Sequence, residues 1–195
     1  MVLKCSVYIA TSVDGFIARP DGDITWLEQP EYRATPLQGL TYEDFIASVD
    51  ALVMGRNTFE KVLTFGDWPY QNLPVVVLTQ RPLGVPTYLA ARVKVATGPP
   101  AAIVAQLAAA GKQHLYIDGG VTIQRFLRAG LIDEITLTYI PVLLGQGIPL
   151  FALGELERSL QLIAATTSNH GLVQVRYRVV AAPDTTPTPR KAASN

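Results

Sequence analysis

The residues best suited to chemistry in this chain form the run Gly55-Arg56-Asn57-Thr58, between a short apolar stretch and a segment of helical character. The pattern predicts a strand that enters a helix N-terminus through a glycine. Such a junction offers unpaired backbone N–H groups and the positive end of the helix dipole, which together suit a phosphate. Gly55 lets an anion approach the backbone, and Arg56 can bind phosphate in a bidentate way. An ordinary strand–helix turn with an exposed arginine explains the same run about equally well.

A second glycine junction occurs at Asp118-Gly119-Gly120, between a β-rich run at 113–117 and another helical segment. Ligands of open α/β sheets bind beyond the carboxyl ends of the strands, so two such junctions on one sheet edge could enclose a pyrophosphate. Arg81, which follows the apolar run 73–79, adds a second cation for a further phosphate. One junction alone is weak evidence, but two junctions with Arg56 and Arg81 favour a phosphorylated dinucleotide, NADPH.

The elements that must position these residues alternate between strands and helices. Strands are predicted at 4–11, 51–54, 73–79, 93–96, 113–117 and 132–140, with an antiparallel pair at 160–167 and 172–180. Helices are predicted after the N-cap Thr41, over 57–63, after Pro99 and Pro100, and from Gly120 to a stop at Gly130. Three successive valines in 73–79 indicate a strand covered on both faces, as in parallel sheets. The alternation predicts an α/β domain with a mostly parallel sheet and antiparallel C-terminal strands.

Composition limits the possible partners. The chain has 195 residues, enough for one core and one domain, and its 16 basic and 16 acidic residues give no net charge. A neutral chain lacks the footprint of a nucleic-acid-binding protein. The single cysteine, Cys5, excludes an internal disulfide and a cysteine-rich metal site, so no metal is expected. The absence of a long apolar run argues against a membrane partner, and the N-terminus has no signal-peptide profile, so we expect a cytoplasmic protein.

Two segments do not fit the regular alternation. Asp14-Gly15 lies between apolar residues, which is more typical of a tight turn than of a catalytic acid. Residues 181–195 are rich in proline, threonine and alanine without periodicity, so we predict a domain over 1–180 and a disordered tail after it.

Several motifs resemble one enzyme superfamily. Residues 54–60 (MGRNTFE) resemble the nucleotide-binding signature of dihydrofolate reductase, and 75–79 resemble its adenosine-side strand. Residues 117–151, and 12–18 together with Trp26, are closer to the reductase domain of bacterial riboflavin-biosynthesis deaminase/reductase proteins. The resemblance covers roughly 2–180 and implies the dihydrofolate reductase-like three-layer α/β fold, with helices on both faces of the sheet, and an NADPH-dependent oxidoreductase.

The resemblance also implies roles for individual residues. Residues that would bind the pyrophosphate and the 2′-phosphate are Gly55, Arg56, Asn57 and Thr58, and those that would flank the adenosine are Thr79 and Arg81. Residues that would cover the pyrophosphate from the second junction are Gly119, Gly120, Val121 and Thr122. Residues that would lie beside the nicotinamide are Ala10, Ile17 and Ala18. Core packing is the likelier role of Ala10 or Ile17 taken singly. Asp14 and Trp26 are the candidate catalytic residues, and Trp26 could stack on a planar ring or close the core.

The substrate half matches the family less well than the cofactor half. The helical acid of dihydrofolate reductases falls near Gly39 here, and the nearest carboxylates, Glu43 and Asp44, suit a helix first turn. Residues 63–69 lack the Asp-Asp-Pro segment of the riboflavin reductases, and the zinc deaminase motifs are absent. Arg33 matches an arginine that those enzymes place after their tryptophan, although a solvated surface arginine is about equally expected.

We therefore expect hydride transfer from NADPH to a C=N bond or a related heterocyclic substrate, as in 5-amino-6-(5-phosphoribosylamino)uracil reductases. A dihydrofolate reductase proper and a non-catalytic NADP-binding protein are the alternatives. The riboflavin reductases are dimers, so the resemblance implies a homodimer.

Overall fold

The computed structural model describes residues 3–30, 32, 39–151 and 157–180. Its strands are β1 Lys4–Ser12, β2 Phe16–Ala18, β3 Ala51–Gly55, β4 Val75–Leu78, β5 Val93–Ala96, β6 His114–Asp118, β7 Glu134–Ile140, β8 Ile148–Pro149, β9 Leu160–Thr167 and β10 Val173–Val179. Its helices are α1 Tyr42–Ala47, α2 Arg56–Val62, α3 Pro100–Ala109 and α4 Gly120–Arg128, with 3₁₀ turns at Thr25–Leu27, Leu63–Phe65 and Thr87–Leu89. None of these helices is long and apolar enough to cross a membrane. The predicted tail 181–195 and Arg33 lie outside the described residues.

Eight strands form one sheet in the order β5-β4-β3-β6-β1-β7-β10-β9. Neighbours from β5 to β7 are parallel, whereas β10 is antiparallel to both β7 and β9. This topology confirms the prediction of a mostly parallel sheet with antiparallel C-terminal strands. The small ribbon of β2 and β8 was not expected, because two or three residues carry no measurable periodicity.

Side-chain alternation along the central strands divides the core into two layers. Val53 and Ile117 face the layer that α3 and α4 cover, and Leu52 and Tyr116 face the layer that α1 and α2 cover. All four residues are at most 5% exposed, as expected for strands buried on both faces. Helices therefore lie on both faces of the sheet, as predicted.

The helix boundaries follow from local chemistry. Thr41 caps α1, because its Oγ1 accepts a hydrogen bond from the Asp44 N–H at 3.1 Å. Pro100 occupies the first turn of α3, where its missing N–H costs nothing. Gly130 follows α4 with a φ of +67°, the left-handed conformation that ends helices.

Candidate functional site

The two glycine junctions lie side by side at the carboxyl edge of the sheet. Strands β3 and β6 are parallel neighbours in which Met54 pairs with Asp118, so α2 and α4 begin at the same level. A Cβ on Gly119 would collide with Thr58 Oγ1, and one on Gly55 would lie 3.0 Å from Thr122 Oγ1. The threonine hydroxyl of each junction therefore packs against the glycine of the other junction. A side chain at either glycine would prevent this packing.

A cleft of about 730 Å³ opens between these junctions and the β1–β2 segment. This volume lies in the usual range for small-molecule and cofactor sites. The predicted cofactor residues that line it are Ala10, Ile17, Ala18, Gly55, Arg56, Asn57, Thr58, Gly119, Gly120, Val121 and Thr122. Thr79 and Arg81 are not among the lining residues.

Arg56 connects the cleft to the loop after β4. Its Nε donates to Glu60 Oε1 at 2.7 Å, and its Nη1 donates to the Pro82 carbonyl oxygen at 3.2 Å. In that loop, Thr79 Oγ1 accepts from the Arg81 backbone N–H at 3.1 Å, while the Arg81 side chain is exposed. The guanidinium of Arg56 is therefore held at the cleft, and Arg81 stands beyond its rim.

The cleft also contains a group of aromatic and acidic residues, of which the sequence patterns indicate only Asp118, as part of the second glycine junction. Tyr8, Tyr42, Tyr70, Tyr116 and Asp118 all line it. The Tyr116 hydroxyl donates to the Tyr8 carbonyl oxygen at 2.9 Å, and Asp118 Oδ1 accepts from the Gly119 N–H at 2.8 Å. Strand periodicity could have suggested part of the group, because Tyr116 and Asp118 occupy one face of β6, next to the predicted junction.

Burial controls the titration of this group. Desolvation raises the pKa of Asp118 to about 6, although the Gly119 N–H and the nearby Tyr116 hydroxyl act in the opposite direction. Burial, and secondly the charge of Asp118, raise the pKa of Tyr42, Tyr70 and Tyr116. These phenols therefore stay protonated at neutral pH, and Asp118 titrates close to it.

The two predicted catalytic residues, Asp14 and Trp26, do not line this cleft. The exposed Asp14 carboxylate accepts from the Leu144 and Gly145 N–H groups at 3.1 and 2.7 Å, and these bonds hold the loop after β7. The pKa of Asp14 is lowered, first by a hydrogen bond with Ser12. Trp26 is 4% exposed and packs with other apolar side chains behind the cleft. Neither residue lines the cleft, and Arg33 falls outside the described residues.

Comparisons with known proteins agree with this architecture. The family described as RibD C-terminal domain matches residues 4–174. The uncharacterised protein YwjB of Bacillus subtilis is 37% identical over 181 residues, which cover 91% of this chain and 98% of YwjB. A solved structure of a Shewanella sp. PV-4 protein assigned to riboflavin biosynthesis is 40% identical, with a TM-score of 0.81 and coverage of 91% and 99% of the two chains.

A more distant solved structure, RibD of Acinetobacter baumannii, has a TM-score of 0.71 at 18% identity and shares the fold. The similarity covers 92% of this chain but only 58% of that longer protein. The family match spans most of the chain, and the two relatives described above, at 37% and 40% identity, are covered almost completely. The chain belongs to the RibD C-terminal domain family, within the dihydrofolate reductase-like superfamily.

Proposed function

We propose that this protein is an NADPH-dependent reductase of the riboflavin-biosynthesis type, which transfers hydride to a C=N bond of a small heterocyclic substrate, as 5-amino-6-(5-phosphoribosylamino)uracil reductases do. One observation carries the proposal. A single cleft is lined both by the two interlocked glycine junctions and by an adjoining acidic and aromatic group of residues. Membership in a family of reductase domains supports the same conclusion.

The donor set of the junctions fits a phosphorylated dinucleotide. The backbone N–H groups at the starts of α2 and α4, with the Thr58 and Thr122 hydroxyls, are suited to a pyrophosphate. Arg56 offers the bidentate cation that a 2′-phosphate requires. Ala10 and Ile17 provide an apolar wall for the nicotinamide ring. When bound, NADPH supplies the hydride, and the protein supplies position and electrostatics.

Asp118 is the residue that we assign to proton handling. Its pKa of about 6 leaves a usable protonated fraction near neutral pH, as a general acid requires. The acids near the start of α1 are less suitable for this role. Asp44 accepts a hydrogen bond from the Thr41 hydroxyl at 2.8 Å, and neither Glu43 nor Asp44 lines the cleft. This difference from the helical acid of dihydrofolate reductases favours the riboflavin-type reductase over a dihydrofolate reductase proper.

The activity test compares two substrates with one cofactor assay. Oxidation of NADPH is followed with dihydrofolate and, separately, with the ribosylaminopyrimidine substrate of riboflavin reductases. Turnover of the pyrimidine alone supports the proposal, whereas turnover of dihydrofolate alone contradicts it. Cofactor binding without turnover of either compound favours the non-catalytic alternative or another substrate.

We also propose that the protein acts as a homodimer through the outer face of β9 and β10. Leu160 and Leu162 of β9 are 43% and 57% exposed. They lie opposite Val179 and Tyr177 of β10, on the same face of the sheet that α3 and α4 cover elsewhere. Among the described residues, no helix makes extensive contact with these strands. An apolar edge of this kind marks an interaction surface. The whole of β9, LQLIAATT, carries no charge, so two copies related by a two-fold axis would not repel each other there.

A further inference from the structure

The cleft is lined by a second arginine in addition to Arg56. Arg125 lies on α4, one helical turn after Val121, and both of these side chains line the cleft. The half-buried Arg125 side chain donates from Nη2 to the Gly98 carbonyl oxygen at 3.2 Å. The sequence predicts Arg81 as the second cation of this site, but the exposed Arg81 does not line the cleft. Arg125 is therefore the second arginine of the cleft.

The strand register shows which part of the sheet edge Arg125 reaches. Gly55, Leu78 and Ala96 are level with one another in the parallel strands β3, β4 and β5. Gly98, whose carbonyl oxygen holds Arg125, follows shortly after Ala96. Chains that leave neighbouring parallel strands do so at the same edge of the sheet, so Arg125 reaches the carboxyl edge beside β4 and β5.

Arg56 reaches the same edge from the other face of the sheet. It begins α2, which covers one face, whereas α4 covers the opposite face. Its Nη1 donates to the Pro82 carbonyl oxygen, in the loop that follows β4. Leu78, the last residue of β4, lines the cleft as well. The two guanidinium groups therefore approach the end of β4 from opposite faces, and each is held by a backbone carbonyl group.

The carboxylates of the cleft do not neutralise these two arginines. Asp21 and Asp118 are the acidic residues among the lining side chains. No arginine contributes to the pKa of Asp118, and among the described residues no carboxylate forms an ion pair with Arg125. Arg56 pairs through its Nε with Glu60, which does not line the cleft. A guanidinium has more N–H donors than these contacts use, so both side chains keep donors for a ligand.

Two held guanidinium groups at one edge favour a phosphate monoester. Such an ester carries about two negative charges at neutral pH and has several acceptor oxygens. One guanidinium in bidentate contact leaves further oxygens free, so a second guanidinium adds a contact instead of competing for the first. A ribose hydroxyl has no charge and gives neither arginine an equivalent partner.

We propose that Arg125 determines cofactor specificity and that, together with Arg56, it binds the phosphate on the adenosine ribose of NADPH. The inference deepens the proposed function and rests on it. It assigns the second cation for this phosphate to α4 and not to the loop after β4. The ribose phosphate is then held between the helices that begin at the two glycine junctions.

The test compares two nucleotide fragments that differ by one phosphate. Adenosine 2′,5′-bisphosphate carries the ribose phosphate, whereas adenosine 5′-monophosphate lacks it and has the same base and 5′-phosphate. Calorimetric titration of the full chain should give about thirtyfold tighter binding of the bisphosphate, because a contact between charged groups is lost with the monophosphate. In Arg125→Gln this preference should fall to about fivefold or less, and the affinity for the monophosphate should stay within about twofold of wild type.

Matched variants assign the preference to this guanidinium. Arg125→Lys keeps the charge but loses the planar fork, so the preference should fall by about threefold, which decides the matter if Arg125→Gln does not fold. Lys61→Gln removes the other cation that lines the cleft and should leave the preference as in the wild type. The double variant Arg56→Ala/Arg125→Gln should bind the two fragments about equally.

Equal weakening of both fragments in Arg125→Gln would overturn the inference, because the guanidinium would then contact the base or the 5′-phosphate. An unchanged preference in Arg125→Gln, or a loss of preference in Arg81→Gln in its place, would overturn it as well. Assays of NADPH oxidation keep the two proposals apart. A preference that depends on Arg125, without reduction of any substrate, contradicts the proposed reductase and leaves the phosphate site in place. Reduction by NADPH with an unchanged preference in Arg125→Gln does the reverse.

Discussion

Asp118→Asn should raise the free energy of unfolding of the ligand-free protein near pH 7.5, because the wild-type carboxylate is ionised in a site that disfavours its charge. The pKa of Asp118 is about 6 in the folded chain, against an ordinary value of 3.8. A difference of about two pKa units corresponds to roughly 3 kcal/mol at most. The side chain is only partly buried against an open cleft, so solvent screening reduces the expected gain to about 1–2 kcal/mol.

The size of the effect depends on pH in a defined way. Below about pH 3 the carboxyl is protonated in both the folded and the unfolded chain, so the variant and the wild type should be equally stable. Between about pH 4 and 6 the unfolded chain loses its proton first, which progressively destabilises the wild type. Above about pH 6 the difference should stay constant. Thermal unfolding should then show an increase in Tm of about 2–8 °C for Asp118→Asn near pH 7.5.

Asp50→Asn is a matched control with the opposite sign. Asp50 Oδ2 accepts from the backbone N–H groups of Gln113 and His114 at 2.7 and 2.8 Å, and these bonds lower its pKa. Asparagine at this position should therefore destabilise the protein at neutral pH, and the loss should diminish as the pH falls through the lowered pKa. The electrostatic argument is wrong if Asp118→Asn lowers stability near pH 7.5, or if its effect is the same at about pH 4 and 7.5.

Three other substitutions test the cofactor site and the dimer. Arg56→Ala should weaken NADPH by about 1.5–3 kcal/mol and NADH far less, and equal weakening of both cofactors in a fluorescence titration would exclude a 2′-phosphate contact. Gly119→Ala should reduce Tm and cofactor affinity together, because φ is +85° and the new Cβ meets Thr58 Oγ1; normal values for both would contradict the interlocked junctions. Leu162→Glu should convert a dimer of 21.1 kDa chains into monomers in sedimentation analysis. The control Leu143→Glu, at a residue that is 72% exposed in the loop after β7, should leave the dimer intact. A wild-type protein that sediments as a monomer would exclude the dimer.

The glycine-junction half of the cleft could be predicted because its signals are local. Gly55 and Gly119 each end an apolar strand pattern, and neighbouring parallel strands must end on the same edge of the sheet. The structure brings these predicted residues together in one cleft. Thr79 and Arg81 are the exceptions on this side. The direction of an exposed side chain after a strand depends on loop contacts, such as the bond between Thr79 and the Arg81 N–H.

The acidic half could not be predicted because it depends on contacts between distant segments. Asp118 was recognised only as part of a glycine junction, since burial and a raised pKa have no signature in three residues of sequence. The four tyrosines come from β1, from α1, from β6 and from the loop that precedes β4. Only the assembled sheet brings them together. Asp14 illustrates the converse. Its bonds to residues about 130 positions away show that a plausible catalytic acid can instead fix a loop.

The position of Asp118 has a consequence for how the cleft works. It is the last residue of β6, a strand paired on both sides in the middle of the sheet, and the next residue is Gly119 of the second glycine junction. An acid on a central strand is held more rigidly than one on a loop, which suits the proton-handling role proposed for Asp118. The stability effect of Asp118 in the empty protein and the pH dependence of kcat/KM for the proposed reaction are independent observables of one ionisation. Both should change over the same interval around pH 6, and two different midpoints would mean that another group holds the charge.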